Sequence, residues 1–174
     1  MASVISHPAA VVALAPWFGE DVGRRACLLA AVGSILPDAD VVGYWLGIPY
    51  GSPLGHRGLT HSLFFAAVLS AALAFAVPRR RPAVFLFLFL CVASHGLLDA
   101  MTDGGRGIAF FAPLTNARFH FPWRPIPVSP LGVGRFLSRR GLLILESELL
   151  WIWLPALALF GLGLAVRASG RRNA

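Results

Sequence analysis

Four histidines (His7, His56, His61 and His95) and four carboxylates (Asp38, Asp40, Asp99 and Glu148) stand at the edges of apolar runs in this chain. Together these residue types make a ligand set for a divalent metal ion. The tightest local pattern is His95-Gly-Leu-Leu-Asp99. Four residues apart on a helix, the two side chains share a face and can reach one ion. Taken alone, the pair reads first as a histidine hydrogen-bonded to a carboxylate one turn away. Its place at the end of an apolar helix, where ionisable groups are costly, ties it to a function or to partners. Pro37-Asp38-Ala39-Asp40 sets two acids at a helix C-terminus, where the macrodipole opposes negative charge, so a positive group is expected nearby. A metal ion supplies one, and Arg57 or Arg106 supplies another. His56-Arg57-Gly58-Leu59-Thr60-His61-Ser62 brings two more histidines to the start of an apolar helix, with Thr60 the expected cap and His61 in the first turn.

The remaining polar residues have simpler alternatives. Glu148 precedes the last apolar run, a position the helix dipole favours by itself, and Glu146 competes for the same role. His120 lies in an Arg-rich, aromatic stretch and reads as an interfacial anchor. Arg57 and Arg106 could grip a phosphate or carboxylate through paired hydrogen bonds, or neutralise Asp38, Asp40 or Asp103.

The elements that position these groups must be membrane helices. The 174 residues are 57% hydrophobic and 13% charged, with a mean hydropathy of +0.71, too apolar for an ordinary soluble domain. Leu59 to Val77, Ala83 to Leu98 and Leu149 to Val166 are uniformly apolar and near spanning length, the last containing Pro155. Val22 to Leu36 reads as a further apolar helix stopping at Pro37, and Pro8 to Phe18 as a shorter one behind His7. The stretch from Asp99 to Arg140 is rich in Gly, Pro and Arg and reads as an extramembrane or interfacial loop region. The expected fold is therefore an all-α polytopic bundle of three to five apolar helices, one domain over residues 1–174. No removed signal peptide is expected, and Cys27 and Cys91 read as small buried hydrophobes.

Short connections force neighbouring helices to reverse, and the polar residues then separate by end. His7, Asp38, Asp40, His56, His61, His95, Asp99 and Glu148 fall at one end; Arg24 with Arg25, Arg79 to Arg81, and Arg167 with Arg171 and Arg172 fall at the other. The positive-inside tendency makes the Arg end cytoplasmic and the His/carboxylate end extracytoplasmic, although six Arg in the Asp99–Arg140 region oppose that bias. All fifteen basic residues are Arg, giving a net charge of +7. Their placement beside apolar runs suits cytoplasmic loops and anionic lipid headgroups, and no nucleic-acid partner is expected.

In these residues the sequence resembles the YdjM-like family of bacterial membrane-bound metal-dependent hydrolases. The resemblance rests on an ordered set: His7, LPDAD, HRGLTHS, HGLLD with a Gly-rich turn, FPWRPIPVSP, and SELLW before the last helix. That family is similar in turn to the zinc-dependent phospholipase C and single-strand nuclease superfamily, which cuts phosphodiesters with a cluster of zinc ions. The resemblance implies a bacterial inner-membrane location and ligand roles for Asp38, His61, His95 and Asp99, with His7 and Glu148 as further matches; from the residues themselves His56 is also a candidate ligand. The further His-rich stretch that completes a three-metal set in the soluble enzymes has no equivalent here, so one to three ions remain open. The expectation is a hydrolase using zinc, or else manganese or magnesium, with Asp40 or Glu148 as base or ligand and Arg57 holding an anionic phosphoester, a lipid among the candidates. A divalent-cation transporter and a non-catalytic scaffold are the rival classes.

Overall fold

The computed structural model describes residues 1–78, 81–130 and 132–172; Arg79 and Arg80 of the expected basic cluster lie outside them. All regular structure among the described residues is helical: α1 Ala9–Phe18, α2 Arg24–Ile35, α3 Val42–Trp45, α4 Leu63–Phe75, α5 Arg81–Ala100, α6 Val133–Phe136, α7 Arg139–Glu148 and α8 Leu154–Arg172. Three continuous helical stretches are long and apolar enough to cross a membrane: Arg24–Trp45, Arg81–Ala100 and Arg139–Arg171. The all-helical membrane architecture expected from composition is thus the one observed.

The boundaries differ from expectation in three places, each for a local reason. Pro37 does not end the second helix. It occupies the first turn of a 3₁₀ segment, Leu36–Val41, where no intrahelical partner is needed for its missing N–H, and the helical path runs on into α3. The span expected at Leu59 to Val77 is broken at its start. Leu59–His61 forms a 3₁₀ turn, and Ser62, not Thr60, caps α4 by accepting the Phe65 N–H at 3.1 Å. That leaves α4 with 13 residues, shorter than a full span. Finally, the last span starts at Arg139, well before Leu149. A π-helical turn, Leu149–Trp153, joins α7 to α8, so Glu148 sits inside a long helix.

Packing brings the helices together around α5, which contacts α1, α2 and α4, while α8 packs along α1. At one end of the bundle the core is dry: Val11, Val22, Ala26, Ala30, Ala74, Val77, Val84, Phe87, Leu88 and Cys91 form a single apolar cluster. Cys27 and Cys91 are free thiols, as their apolar surroundings suggest. At this end Arg167 donates to the Pro16 carbonyl at 3.4 Å and Arg171 lies 3.8 Å from Glu20.

At the other end the segment after α5, expected as an extramembrane loop, folds back onto the bundle. Thr102, Ile108, Ala109, Ala112 and Ile126 are buried. Isolated bridges Thr102↔Ile126 and Ile108↔Phe119 pin the fold-back, and the Asp103 N–H donates to the Ile126 carbonyl at 2.9 Å. The segment roofs the polar end.

Candidate metal centre

The buried stripe of α5 changes chemistry along its length. Val84, Leu88 and Cys91 face the dry core; one turn on from Cys91 the same face carries His95, and one turn further Asp99, both fully buried. Gly96 lets the neighbouring segment approach, since a Cβ there would stand 2.9 Å from the His61 carbonyl oxygen. His61 arrives from the turn before α4, Asp38 from the 3₁₀ segment after α2, and His7 from the residue pair ahead of α1.

Ligating atoms of Asp38, His61, His95 and Asp99 all lie within 4.8 Å of one another. The Nε2 atoms of His61 and His95 are 3.0 Å apart. His95 Nε2 and His61 Nε2 lie 3.5 and 3.6 Å from Asp38 Oδ1, and His61 Nε2 is 3.6 Å from Asp99 Oδ2. His7 Nε2 closes the group at 3.6 Å from Asp38 Oδ2 and 3.8 Å from Asp99 Oδ1, its ring stacked on His95 at 3.8 Å. Ligands bonded to one zinc ion at about 2.0–2.1 Å in a tetrahedron stand about 3.3 Å apart, so these spacings are those of a coordination shell. They are too long for hydrogen bonds in most cases. Both oxygens of Asp38, Oδ2 of Asp99 and both ring nitrogens of His7 are buried without a hydrogen-bond partner. Of these, Asp99 Oδ2 has the Arg57 guanidinium at 3.3 Å; a buried carboxylate with no such partner costs roughly several kcal/mol, which a divalent cation removes. By donor type, spacing and orphaned atoms, the residues fit a metal ion.

The outer contacts orient the donors. His95 Nδ1 lies 2.7 Å from the Ser34 carbonyl, which can only accept, so Nδ1 carries the proton and the Nε2 lone pair faces the cluster. His61 Nδ1 lies 3.2 Å from Asp40 Oδ2, giving the carboxylate–histidine arrangement that fixes a metal-binding ring. Asp40 is itself held: it accepts from Thr60 Oγ1 at 2.7 Å and the Arg57 N–H at 3.1 Å, and pairs with His56 Nδ1 at 2.6 Å. Burial by itself lowers the His61 pKa, but Asp38, Asp40 and Asp99 together overcome it and raise it to about 10. Burial, with the His95 imidazole beside it, pushes His7 down to about 3.

Arg57 is 1% exposed and adopts a left-handed φ of 63°. That conformation costs a non-glycine residue roughly 1–3 kcal/mol and persists only where surrounding contacts over-determine it. Here they do. Its N–H donates to Asp40, its carbonyl accepts from Ala109, and its guanidinium reaches Thr102 Oγ1 at 3.0 Å, the Gly104 carbonyl at 2.8 Å and Asp99 Oδ2 at 3.3 Å. Gly105, at φ +83°, makes room, since a Cβ there would lie 2.3 Å from Arg57 Nη1.

The structure therefore brings Asp38, His61, His95, Asp99 and His7 into one group and sets Asp40, His56 and Arg57 around it. Asp40, His56 and His61 also form a second close group, joined to the first through the two nitrogens of His61. Glu148 is fully buried, and its oxygens accept from the Ser3 N–H, Ser3 Oγ and Ser6 Oγ, so it clamps the segment that carries His7. That same segment supplies the Ala2 N–H, which donates to Asp99 Oδ1 at 2.7 Å. Arg106 lies over the Tyr50 ring at the surface, and Arg118 donates to the His56 and Tyr50 carbonyls. His120 stands apart in the roof, its pKa lowered by its partial burial and by Arg124. Ser34, Thr102 and the N-terminal amides are not picked out by sequence, because a backbone group or a lone hydroxyl has no signature in residue type. A cavity of about 150 Å³, lined by Met1, Tyr44, Tyr50, His56, Arg57 and Gly105 among others, opens beside the centre.

The family of YdjM inner membrane proteins matches residues 1–173. Inner membrane protein YbcI of Escherichia coli (strain K12) is 38% identical over 167 residues, covering 93% of this chain and 96% of that protein. No solved structure matches the chain.

Proposed function

The chain belongs to the YdjM inner membrane protein family, and from that premise we propose that it is a metal-dependent hydrolase acting on a phosphoester at one face of the inner membrane. The observation that carries the reading is the set of buried donor atoms of Asp38 and His7 that lack a hydrogen-bond partner and face His61, His95 and Asp99. Asp38, His61, His95 and Asp99 would hold one ion, with His7 as a fifth donor. Zinc suits the imidazole-rich set best, and manganese is the next candidate. When bound, a divalent ion supplies Lewis acidity that activates water and stabilises negative charge developing on a phosphoryl oxygen.

The chain's own residues do the rest. Asp40 and the Ser34 carbonyl hold the two imidazoles in the tautomers that aim Nε2 inward. Arg57 neutralises Asp99 on one side and, on the other, lines the cavity beside the centre, where its charge attracts a phosphate. His56, paired with Asp40 and lining the same cavity, is placed to move a proton between substrate and carboxylate. Glu148, saturated by Ser3 and Ser6, acts through the position of His7. The Arg clusters at the opposite end favour an extracytoplasmic face for the centre, against the Arg residues of the 99–140 region.

A second reading has one observation in its favour. His7, His95 and Asp99 are wholly buried, and closed sites are commonly structural. Purified protein assayed for bound metal and for hydrolysis of a soluble phosphodiester separates the two. Near-stoichiometric metal with turnover that disappears on chelation supports the hydrolase. Metal without turnover, with a lower melting temperature on chelation, leaves a metal-stapled membrane protein.

A further inference from the structure

The polar cavity beside the centre is not isolated. Met1 and Ser129, which line it, also line a cavity of about 370 Å³ whose walls are Val4, Ile5, Pro130 and Phe136. Phe136 in turn lines a groove of about 360 Å³ along the start of α7, with Leu137, Leu142 and Leu145. The three abut in a row from Arg57 to the start of α7, with Met1 and Ser129 as the wall between the first two and Phe136 between the last two. The chemistry of the row changes in one direction, from guanidinium, imidazole and phenol at the inner end to hydrocarbon at the outer end.

Exposed apolar side chains are ordinary on a membrane protein, and outward residues of α8 such as Leu157 and Leu162 are 50% and 53% exposed. What sets Val4 and Ile5 apart is that they line a concavity sharing the walls Met1 and Ser129 with the one that holds Arg57 and His56. The outer rim is basic: Arg135, Arg139 and Arg140 are exposed around the start of α7. The named walls of the apolar cavity carry no acid. An occupant must therefore be anionic at one end, apolar along its length, and drawn from the surroundings of an inner-membrane protein.

We propose that this row of cavities is the binding groove for a membrane glycerophospholipid, its phosphate against Arg57 and His56 and one acyl chain along Val4, Ile5 and Phe136. The inference deepens the hydrolase reading and rests on it for the fate of the phosphoester. The seating of the lipid stands on the abutting cavities and the basic rim. The basic rim steers anionic headgroups, and the hydrocarbon walls favour a phosphodiester that carries an acyl chain over a water-soluble one.

The test uses the full chain in vesicles of phosphatidylethanolamine and phosphatidylglycerol that contain a phosphatidylglycerol with a photoreactive diazirine in one acyl chain, with adducts mapped by mass spectrometry. Expected adducts fall on residues 4–5 and 136–145 as well as on the outward leucines of α8. Ser129→Trp, which fills the junction of the two cavities, removes the first group and leaves the α8 adducts unchanged, a built-in control for insertion and fold. Phe136→Asp does the same from the other wall, should the tryptophan disturb folding. Adducts confined to α8 and other outward faces, or adducts at 4–5 indifferent to both variants, overturn the groove. Hydrolysis of the same lipid is followed in parallel: adducts without turnover overturn only the hydrolase reading, and turnover of a soluble phosphodiester without groove adducts overturns only the groove.

Discussion

The two ends of this bundle are built on the same helix and solve opposite problems. Toward the start of α5, Val84, Phe87, Leu88 and Cys91 pack against Val11, Val22, Ala26, Ala30 and Ala74 as one apolar cluster. Toward its end, His95 and Asp99 are just as buried but meet His7, Asp38, His61 and Arg57. The apolar cluster at the dry end is held by contact alone, so each of its residues matters in proportion to its volume. The polar end is held by a network in which removing one member strands the others. Buried area teaches little about the second kind of site; the pattern of unmet hydrogen-bonding capacity teaches more.

Four perturbations sharpen that contrast, beginning with the strongest. Asp99→Ala removes a metal donor and leaves Arg57 buried without its carboxylate, so metal content by elemental analysis drops to background and stability falls by at least ~3–5 kcal/mol. Retained stoichiometric metal in that variant would break the division between the two ends. At the dry end, Phe87→Ala opens a cavity beside Phe18, whose ring is 5.3 Å away, and costs about 3–5 kcal/mol in a detergent unfolding series with metal content unchanged. Loss of metal there would mean that the two ends are coupled through α5.

Asp40→Asn is subtler. It touches no donor in the central group except through His61 Nδ1, and metal affinity measured by competition with a chelator weakens by about 10–100-fold while the fold persists.

The gentlest probe is pH. In the metal-free protein His61 holds its proton up to about 10, whereas the unfolded chain releases it near 6.5. A raised folded-state pKa stabilises fully below the unfolded value and loses that contribution as pH climbs toward about 10, so the metal-free melting temperature declines over that window. Metal requires the deprotonated ring, and apparent affinity rises up to roughly tenfold per pH unit across the same window. His7, already neutral above about 3, adds nothing there. Calorimetric binding titrations in buffers of different ionisation enthalpy count the proton released; a count of zero would place His61 outside the coordination shell.

Much of this architecture is legible in the order of the amino acids. Apolar runs of spanning length announce a helical membrane protein, because a helix satisfies its own backbone in lipid. The i, i+4 spacing of His95 and Asp99 puts both on one helix face, and reversal of short-linked helices puts His7, Asp38 and His61 at the same end. Helix edges are harder to place. Pro37 reads as a stop but serves as a 3₁₀ start, and Glu148 reads as a first-turn residue but lies inside a helix continued through a π turn.

What the sequence determined by itself is periodic or compositional: helices, their apolar faces, and which residue types share an end. The tertiary structure decided the roles. Asp38 and Asp40 are two residues apart in one motif, yet Asp38 faces the centre with both oxygens partnerless while Asp40 turns outward to Thr60, His56 and the Arg57 amide. The Gly/Pro/Arg-rich stretch looks like a solvated loop, yet it closes over the site because Ile108 and Ile126 find apolar partners only there. Such choices depend on hydrogen bonds to backbone groups such as the Ser34 carbonyl and Ala2 amide, which every residue possesses and no residue type advertises; only the packed chain selects among them.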